Sequence, residues 1–150
     1  MIERPAVLQR LGRLLAGLWA GLLVGLGAIG APAGFAVTTV EAAGRAAGRM
    51  FAIEAHVSLV VAVLLLLLAR RTAPTEPDQP PASTLNTHLL LLLGTLFCTI
   101  VGYFVLQPMM VAARAGEGSL SFGALHGLSA GFFALKGLLV LVLAWRFTAR

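Results

Sequence analysis

The sequence predicts an all-α integral membrane protein, a four-helix bundle that forms a single domain over residues 1–150. Hydrophobic residues make up 59% of the chain and charged residues only 11%, whereas a soluble domain is about 25% charged. Four stretches have the roughly 20 apolar residues that a membrane helix needs. They cover about residues 14–35, 50–69, 89–107 and 122–145. The unbroken leucine run Leu64–Leu68 lacks the alternation of a barrel strand, so the spans are helical.

The segments between the spans differ in composition. Residues 72–87 hold four of the seven prolines and predict an extended, solvated cytoplasmic linker. Residues 37–49 are rich in alanine and glycine, and form either a short interfacial helix or an extension of the second span. The first span follows three arginines, as a signal peptide would. Its uncharged stretch from Leu14 to Ile29 exceeds the usual 7–15 residues, which favours an uncleaved anchor.

The arginines predict the orientation in the bilayer. Short loops rich in basic residues stay in the cytoplasm. One side of the predicted topology carries seven arginines: Arg4, Arg10, Arg13, Arg70, Arg71, Arg146 and Arg150. The other side carries three: Arg45, Arg49 and Arg114. Both termini are therefore expected in the cytoplasm. Because the charges punctuate apolar runs instead of forming one basic face, the expected partner is the lipid bilayer and not a nucleic acid.

Glycine recurs every four residues in two of the spans. The six positions are Gly17, Gly21, Gly25, Gly123, Gly127 and Gly131. Small residues at this spacing form a groove that lets another helix approach closely. We expect these grooves to pack the first span against the fourth. The alternative is that they bind a second copy of the chain or another membrane protein.

Polar residues inside the spans carry the functional signal, because a polar side chain in lipid is costly. The predicted topology brings five of them to one depth in the outer half of the bundle: His56, Tyr103, Gln107, His126 and Ser129. Glu54 and Ser58 share a different face of the second helix, about 200° from His56. Lys136 continues the stripe of His126 and Ser129, which is expected to face the interior. We expect Lys136 to extend towards the interface; the alternatives are pairing with Glu54 or with an anionic ligand.

Several functions are compatible with this cluster. Two imidazoles, His56 and His126, could bind a metal ion or the iron of haem b, and the methionines near the outer end favour copper. The polar groups could instead only form hydrogen bonds between helices, worth about 0.6 kcal/mol on average. A proton or solute path is a third hypothesis. We find no catalytic motif in the sequence. Residues 127–131 match the Gly-x-Ser-x-Gly pattern of a nucleophile elbow, but they lie within a predicted membrane helix, whereas the elbow requires a strand, a turn and a helix.

Three stretches carry a family resemblance. They are residues 48–51 with 56–58, residues 103–110, and the His-Gly-Leu-Ser of residues 126–129. In this order they resemble the transmembrane-protein-205-like family, small bacterial membrane proteins with a domain of unknown function. The resemblance covers nearly the whole chain. It singles out these positions: His56, Ser58, Gln107, Pro108, His126 and Ser129.

The resemblance implies a four-span protein of the bacterial inner membrane and no settled activity. Gln107 stands where eukaryotic relatives look to carry a carboxylate, so hydrogen bonding is possible there but a negative charge is not. Pro108 is expected to kink or end the third helix. The leading hypothesis is a protein that binds a metal ion or haem. Its rivals are an assembly subunit that docks another membrane protein through its glycine faces, and a small oligomeric transporter.

Overall fold

The computed structural model describes residues 4–71 and 87–148, and these residues contain helices and no β-strand. Six α-helices are present: α1 (Arg4–Val24), α2 (Ala31–Val37), α3 (Val40–Arg71), α4 (Thr87–Thr99), α5 (Leu106–Arg114) and α6 (Phe122–Thr148). Two π-helical segments, Gly25–Gly30 and Ile100–Val105, join α1 to α2 and α4 to α5. The result is four spans, each long and apolar enough to cross a membrane. The predicted all-α membrane bundle is confirmed.

The spans extend beyond their predicted ends. They cover Ala6–Val37, Val40–Arg71, Thr87–Arg114 and Phe122–Thr148. Hydropathy marks only the apolar part of a helix, whereas backbone hydrogen bonding continues into more polar flanking residues. The Ala/Gly-rich stretch is thus largely an extension of the second span, since α3 begins at Val40. Except for Thr87, the proposed linker lies outside the described residues.

Tight turns connect the spans at one end of the bundle, which we call the loop end. Thr39 accepts a hydrogen bond from the Ala42 amide, and Ser121 accepts one from the Ala124 amide. Such side chains satisfy amides that have no partner within the helix at its start. We call the opposite end, where the described chain starts and stops, the termini end.

Each π-helical segment comes just before a proline. Pro32 lies in the first turn of α2, and Pro108 lies near the start of α5. Proline lacks an amide hydrogen and crowds the carbonyl four residues before it. A wider helical turn relieves that crowding. The third helix therefore does not end at Pro108 but continues to Arg114.

The four spans pack in a ring in chain order. Helix α1 contacts α3 and α6, and α4 contacts the same two helices. The termini half is filled by a core of large apolar side chains: Trp19, Leu23, Leu65, Leu92, Val140 and Leu143. At the loop end the packing is different. Among the described residues of the other spans, α2 contacts only α3, and α5 contacts only α6.

The loop half of the bundle thus opens into two arms. The first arm is α2 with Val40–Glu54 of α3, and the second arm is α5 with Phe122–Lys136 of α6. The spans meet closely where the π-helical segments carry a glycine. A Cβ atom on Gly102 would lie 2.7 Å from Phe132 Cβ, and one on Gly27 would lie 2.8 Å from the Phe133 ring.

The glycines of the two repeated motifs do not pack the first span against the fourth, so that prediction is wrong. A Cβ atom added to any of the six would meet no atom within 4 Å. The contact between these spans is made instead by Ala16, Trp19, Leu23, Val140 and Leu143 of the core. These residues occupy a neighbouring face of each helix, so the glycines point outwards. Docking of a second copy or of another membrane protein on this face stays a prediction.

Candidate functional site

A cavity of about 520 Å³ lies between the two arms and is lined by all four spans. It extends from Val40 and Arg114 at the loop end to Glu54 and Lys136 near the middle of the bundle. The first and second spans contribute what we call the small-residue wall: Gly27, Ala31, Gly44, Ala47 and Gly48. The third and fourth spans contribute most of the polar groups. The core of the termini half closes the cavity below its floor, and we call the loop end of the cavity, at Val40 and Arg114, the mouth.

A buried ion pair forms the floor of the cavity. Lys136 Nζ lies 2.8 Å from both carboxylate oxygens of Glu54, and the two residues are only 3% and 2% exposed. The Ser58 hydroxyl donates a hydrogen bond to Glu54 Oε1. Trp19 Nε1–H in turn donates to Ser58 Oγ over 2.8 Å. The expectation that Lys136 reaches the interface is wrong, and its alternative, a pair with Glu54, is what the structure contains.

This network offsets the cost of placing charges in the bundle. Burying an ion pair is tolerable only where the geometry is good and further hydrogen bonds satisfy the remaining groups. Here the carboxylate accepts bonds from Lys136 and Ser58, and three helices supply the partners. The pair carries no net charge. It therefore gives the cavity a polar but neutral floor.

An aromatic pair lies one helical turn above the floor. Phe51 and Phe133 meet edge to face with ring centroids 5.0 Å apart. Each precedes a member of the ion pair by three residues, which is about 4.5 Å along a helix. Lys136 Nζ is 5.2 Å from the Phe133 centroid. Gly27 makes room for Phe133, because a larger residue there would strike its ring.

Four of the five residues predicted to cluster line this cavity: Tyr103, Gln107, His126 and Ser129. Ser129 is engaged, since its hydroxyl donates to the Gly102 carbonyl over 2.7 Å. The Tyr103 hydroxyl, the Gln107 amide and the His126 ring form no hydrogen bond with any described residue. The His126 ring stacks on Phe122 with centroids 5.7 Å apart. Three polar side chains thus line the cavity with unused hydrogen-bonding capacity.

The fifth residue, His56, lies elsewhere. Its side chain is exposed, and its ring Nδ1–H donates to the Ala52 carbonyl over 2.7 Å. The ring also packs edge-on against Phe104, with centroids 5.3 Å apart. Unlike His126, it does not line the cavity. The two histidines were expected at the same depth, but only His126 lines the cavity, because His56 points away from Glu54 on the same helix.

The residues that the structure describes give no support for a metal or haem site. They contain no group of three or more histidine, cysteine, aspartate or glutamate side chains that could hold a metal ion. His56 and His126 do not share the cavity, so they do not form the paired ligands expected for copper or haem b. Among the methionines, Met110 lines the cavity, whereas Met109 does not.

Positive charge gathers at the mouth of the cavity. The Arg114 guanidinium lies over the Phe122 ring, 4.2 Å from its centroid. A smaller cavity of about 260 Å³ adjoins the mouth, lined by Val40, Glu41, Gly44, Arg45 and Arg114. The sequence analysis did not include either arginine among the candidate site residues. The signal that could have found them is their position, one on each arm at the loop end.

Trp19 is the other residue that sequence reasoning missed. A tryptophan in the middle of a span needs an acceptor for its indole N–H, which is why buried tryptophans usually have a polar partner. The sequence analysis placed Ser58 on the same face as Glu54, but no pattern within one helix identifies a partner on another helix.

A four-span membrane bundle with a cavity above a buried ion pair defines a class of small polytopic membrane proteins with an internal polar site. Within that class, the chain belongs to the DUF4149 family, a domain of unknown function, whose family model matches residues 14–119. The match includes Glu54, Tyr103 and Gln107 and ends before His126 and Lys136. Searches of the curated proteins and of the solved structures gave no match. The narrower resemblance to the transmembrane-protein-205-like family stays a prediction.

Proposed function

We propose that this protein binds a small amphipathic molecule in the cavity between its arms. One observation carries the proposal: Tyr103, Gln107 and His126 line the cavity and hold unused donors and acceptors within or beside membrane spans. Polar groups in such an environment are costly unless they are hydrogen-bonded. A ligand with polar groups along one edge would satisfy them. Its apolar part would lie against the small-residue wall.

The dimensions of the cavity support this function. Ligand pockets are typically about 300–1,000 Å³, mainly apolar, with a few polar groups that fix orientation. The cavity volume of about 520 Å³ lies within that range. The floor groups are already paired with each other, so the free groups higher in the cavity are the ones available to a ligand. The packed core beneath the floor favours binding over passage through the bundle.

We further propose that the protein resides in a bacterial inner membrane with both termini in the cytoplasm. The distribution of arginines supports this orientation, and it places the mouth of the cavity on the outer side. A green fluorescent protein fused to the C-terminus should then fluoresce, and an alkaline phosphatase fused there should be inactive. The opposite pair of results would reverse the orientation.

Filling the cavity should abolish ligand binding. Gly48 lines the cavity, and a Cβ atom there would meet no atom within 4 Å, so Gly48→Leu adds a side chain to the ligand volume without a clash at Cβ. The protein is purified from its native membrane in mild detergent and extracted with organic solvent, and the extract is analysed by mass spectrometry. A visible spectrum of the intact protein is recorded first. We expect a compound that is near-stoichiometric in the unchanged protein and reduced at least tenfold in Gly48→Leu.

Gly137→Leu is the matched control. It makes the same replacement in the interior of another span, also in open space, but away from the cavity. This variant should retain the compound. Equal loss in both variants, or equal content in all three proteins, would contradict the proposed site. A haem spectrum that survives Gly48→Leu would contradict it as well, because the cofactor would then lie elsewhere.

A further inference from the structure

We propose that the molecule bound in this cavity carries a single anionic head group, a carboxylate or a phosphate, held at the mouth between Arg45 and Arg114. The inference rests on the proposed function and specifies the chemistry of its ligand. Three features of the mouth carry it: the balance of charge, the position of each arginine on a different arm, and the support that Phe122 gives to Arg114.

The balance of charge favours one negative charge on the ligand. Five ionised side chains line the two adjoining cavities: Glu41, Arg45, Glu54, Arg114 and Lys136. Glu54 and Lys136 neutralise each other in the buried ion pair. At the mouth, the positive charges of Arg45 and Arg114 are balanced only by the negative charge of Glu41, so one positive charge is not neutralised. A monoanionic ligand would make the whole site neutral.

The two arginines can act as a clamp across the arms. Arg45 belongs to the first arm and Arg114 to the second, and both line the smaller cavity of about 260 Å³. Guanidinium groups bind carboxylate and phosphate oxygens through pairs of parallel hydrogen bonds. In the described part of the chain, α2 and α5 make no contact with each other. An anion bound by both arginines would join the two arms.

Arg114 is held in place for this role. Its guanidinium stacks on Phe122, and the face of Phe122 also meets the His126 ring. A guanidinium over an aromatic face is stabilised by the ring electrons and loses less freedom when it binds a ligand. His126 follows Phe122 by four residues on the same helix and lines the larger cavity, so its ring can accept or donate a further hydrogen bond to a ligand that extends from the mouth into that cavity.

The cavity below the mouth suits a single apolar chain or ring. The small-residue wall leaves space beside α3, since a Cβ atom on Gly44 or Gly48 would meet no atom within 4 Å. Phe35, Val111 and Phe51 add apolar surface along the same path. The head group can belong to a free single-chain amphiphile or to a two-chain membrane lipid that inserts one chain. These sources share their chemistry, and the experiment distinguishes them.

The test uses photo-labelling of the full-length protein in nanodiscs of phosphatidylcholine, which carry no net charge. The probe is a palmitate analogue with a mid-chain diazirine, and the matched probe is its methyl ester, which lacks the negative charge. Mass spectrometry measures labelling of peptides from residues 44–54 and 98–114. We expect the acid to label these peptides at least fivefold more than the ester.

Arginine variants locate the head group. Arg45→Gln and Arg114→Gln should each lower labelling by the acid at least fivefold and leave labelling by the ester unchanged. The control is Arg49→Gln, which removes the same charge from an exposed position on α3 that lines neither cavity. Arg49→Gln should change neither labelling by the acid nor labelling by the ester. Equal labelling by acid and ester, or an equal loss in Arg49→Gln, would overturn the proposal.

Gly48→Leu separates this inference from the proposed function. If it removes labelling by both probes while acid and ester label equally, the cavity binds amphiphiles and only the anionic head group is wrong. If it changes labelling by neither, the cavity itself is not the site. Unlabelled dodecyl methyl phosphate and a diacyl phosphatidylglycerol, both phosphodiesters with one negative charge, serve as competitors. Competition by the first alone supports a single-chain ligand, competition by both supports a membrane lipid, and competition by neither would overturn the shared anionic chemistry.

Discussion

Replacing Lys136 with methionine is expected to lower the free energy of unfolding by about 3–5 kcal/mol, because it leaves the Glu54 carboxylate buried without its cation. The effect is large since both residues are almost fully buried and the lysine approaches both carboxylate oxygens. Ser58 alone cannot compensate for a full negative charge. Unfolding in mixed micelles with increasing dodecyl sulfate measures the loss. In a Trp145→Phe background the fluorescence of Trp19 reports it locally, because its indole donates to Ser58 in the same network.

A double variant distinguishes charge from shape. Glu54→Gln with Lys136→Gln removes both charges and leaves two amides that can bond to each other and to Ser58. We expect it to be more stable than Lys136→Met by at least about 2 kcal/mol, since no uncompensated charge remains. If the double variant were as unstable as the single one, the ion pair would matter for packing and not for charge balance.

Gly102→Ala is expected to destabilise the bundle by about 1–3 kcal/mol through overpacking. The new methyl group would lie 2.7 Å from Phe132 Cβ, an atom fixed to the backbone of α6. Relief requires the third and fourth spans to separate. That movement would also stretch the hydrogen bond from Ser129 to the Gly102 carbonyl. The same unfolding assay measures the change.

Alanine variants of two other glycines provide a comparison for the loss of stability in Gly102→Ala. At Gly27 the methyl group would meet the far end of the Phe133 ring, which can tilt, so Gly27→Ala should cost less than Gly102→Ala. At Gly137 there is open space, and alanine favours a helix by about 0.5–1 kcal/mol, so Gly137→Ala should be neutral or stabilising. A Gly102 variant as stable as the Gly137 variant would show that the spans do not meet closely at that point.

The fold could be predicted because its signal lies within single helices. Twenty or so apolar residues specify a span whatever surrounds it, and four such stretches gave the bundle. Helix ends were underestimated, since hydropathy does not report the polar residues that continue a helix. The outward-facing glycines show a different limit. Their spacing permits close packing, but the sequence does not say whether a helix is there to use it.

The site was predicted in part, for a related reason. Expected depth in the membrane grouped Tyr103, Gln107, His126 and Ser129, and all four line one cavity. Depth alone also selected His56, which lies at a similar depth but on a face of its helix that does not line the cavity. The partner of Lys136 depended on a residue of another helix at a matching depth. Whether the two side chains meet depends on how each helix is rotated about its axis relative to the other. The periodicity within one helix gives no information on that rotation.

The π-helical segment Ile100–Val105 sets which residues of the third span line the cavity. Such a segment corresponds to an extra residue within an α-helix, and each residue turns the chain by about 100°. A helix one residue shorter there would keep Cys98 and Thr99 where they are. It would turn Gln107, Met110 and Arg114 to another side of the bundle. The length of this segment, to within one residue, thus fixes the register between the floor of the cavity and its mouth. Alignments with relatives should treat a gap within residues 100–105 as a change in which residues line the cavity.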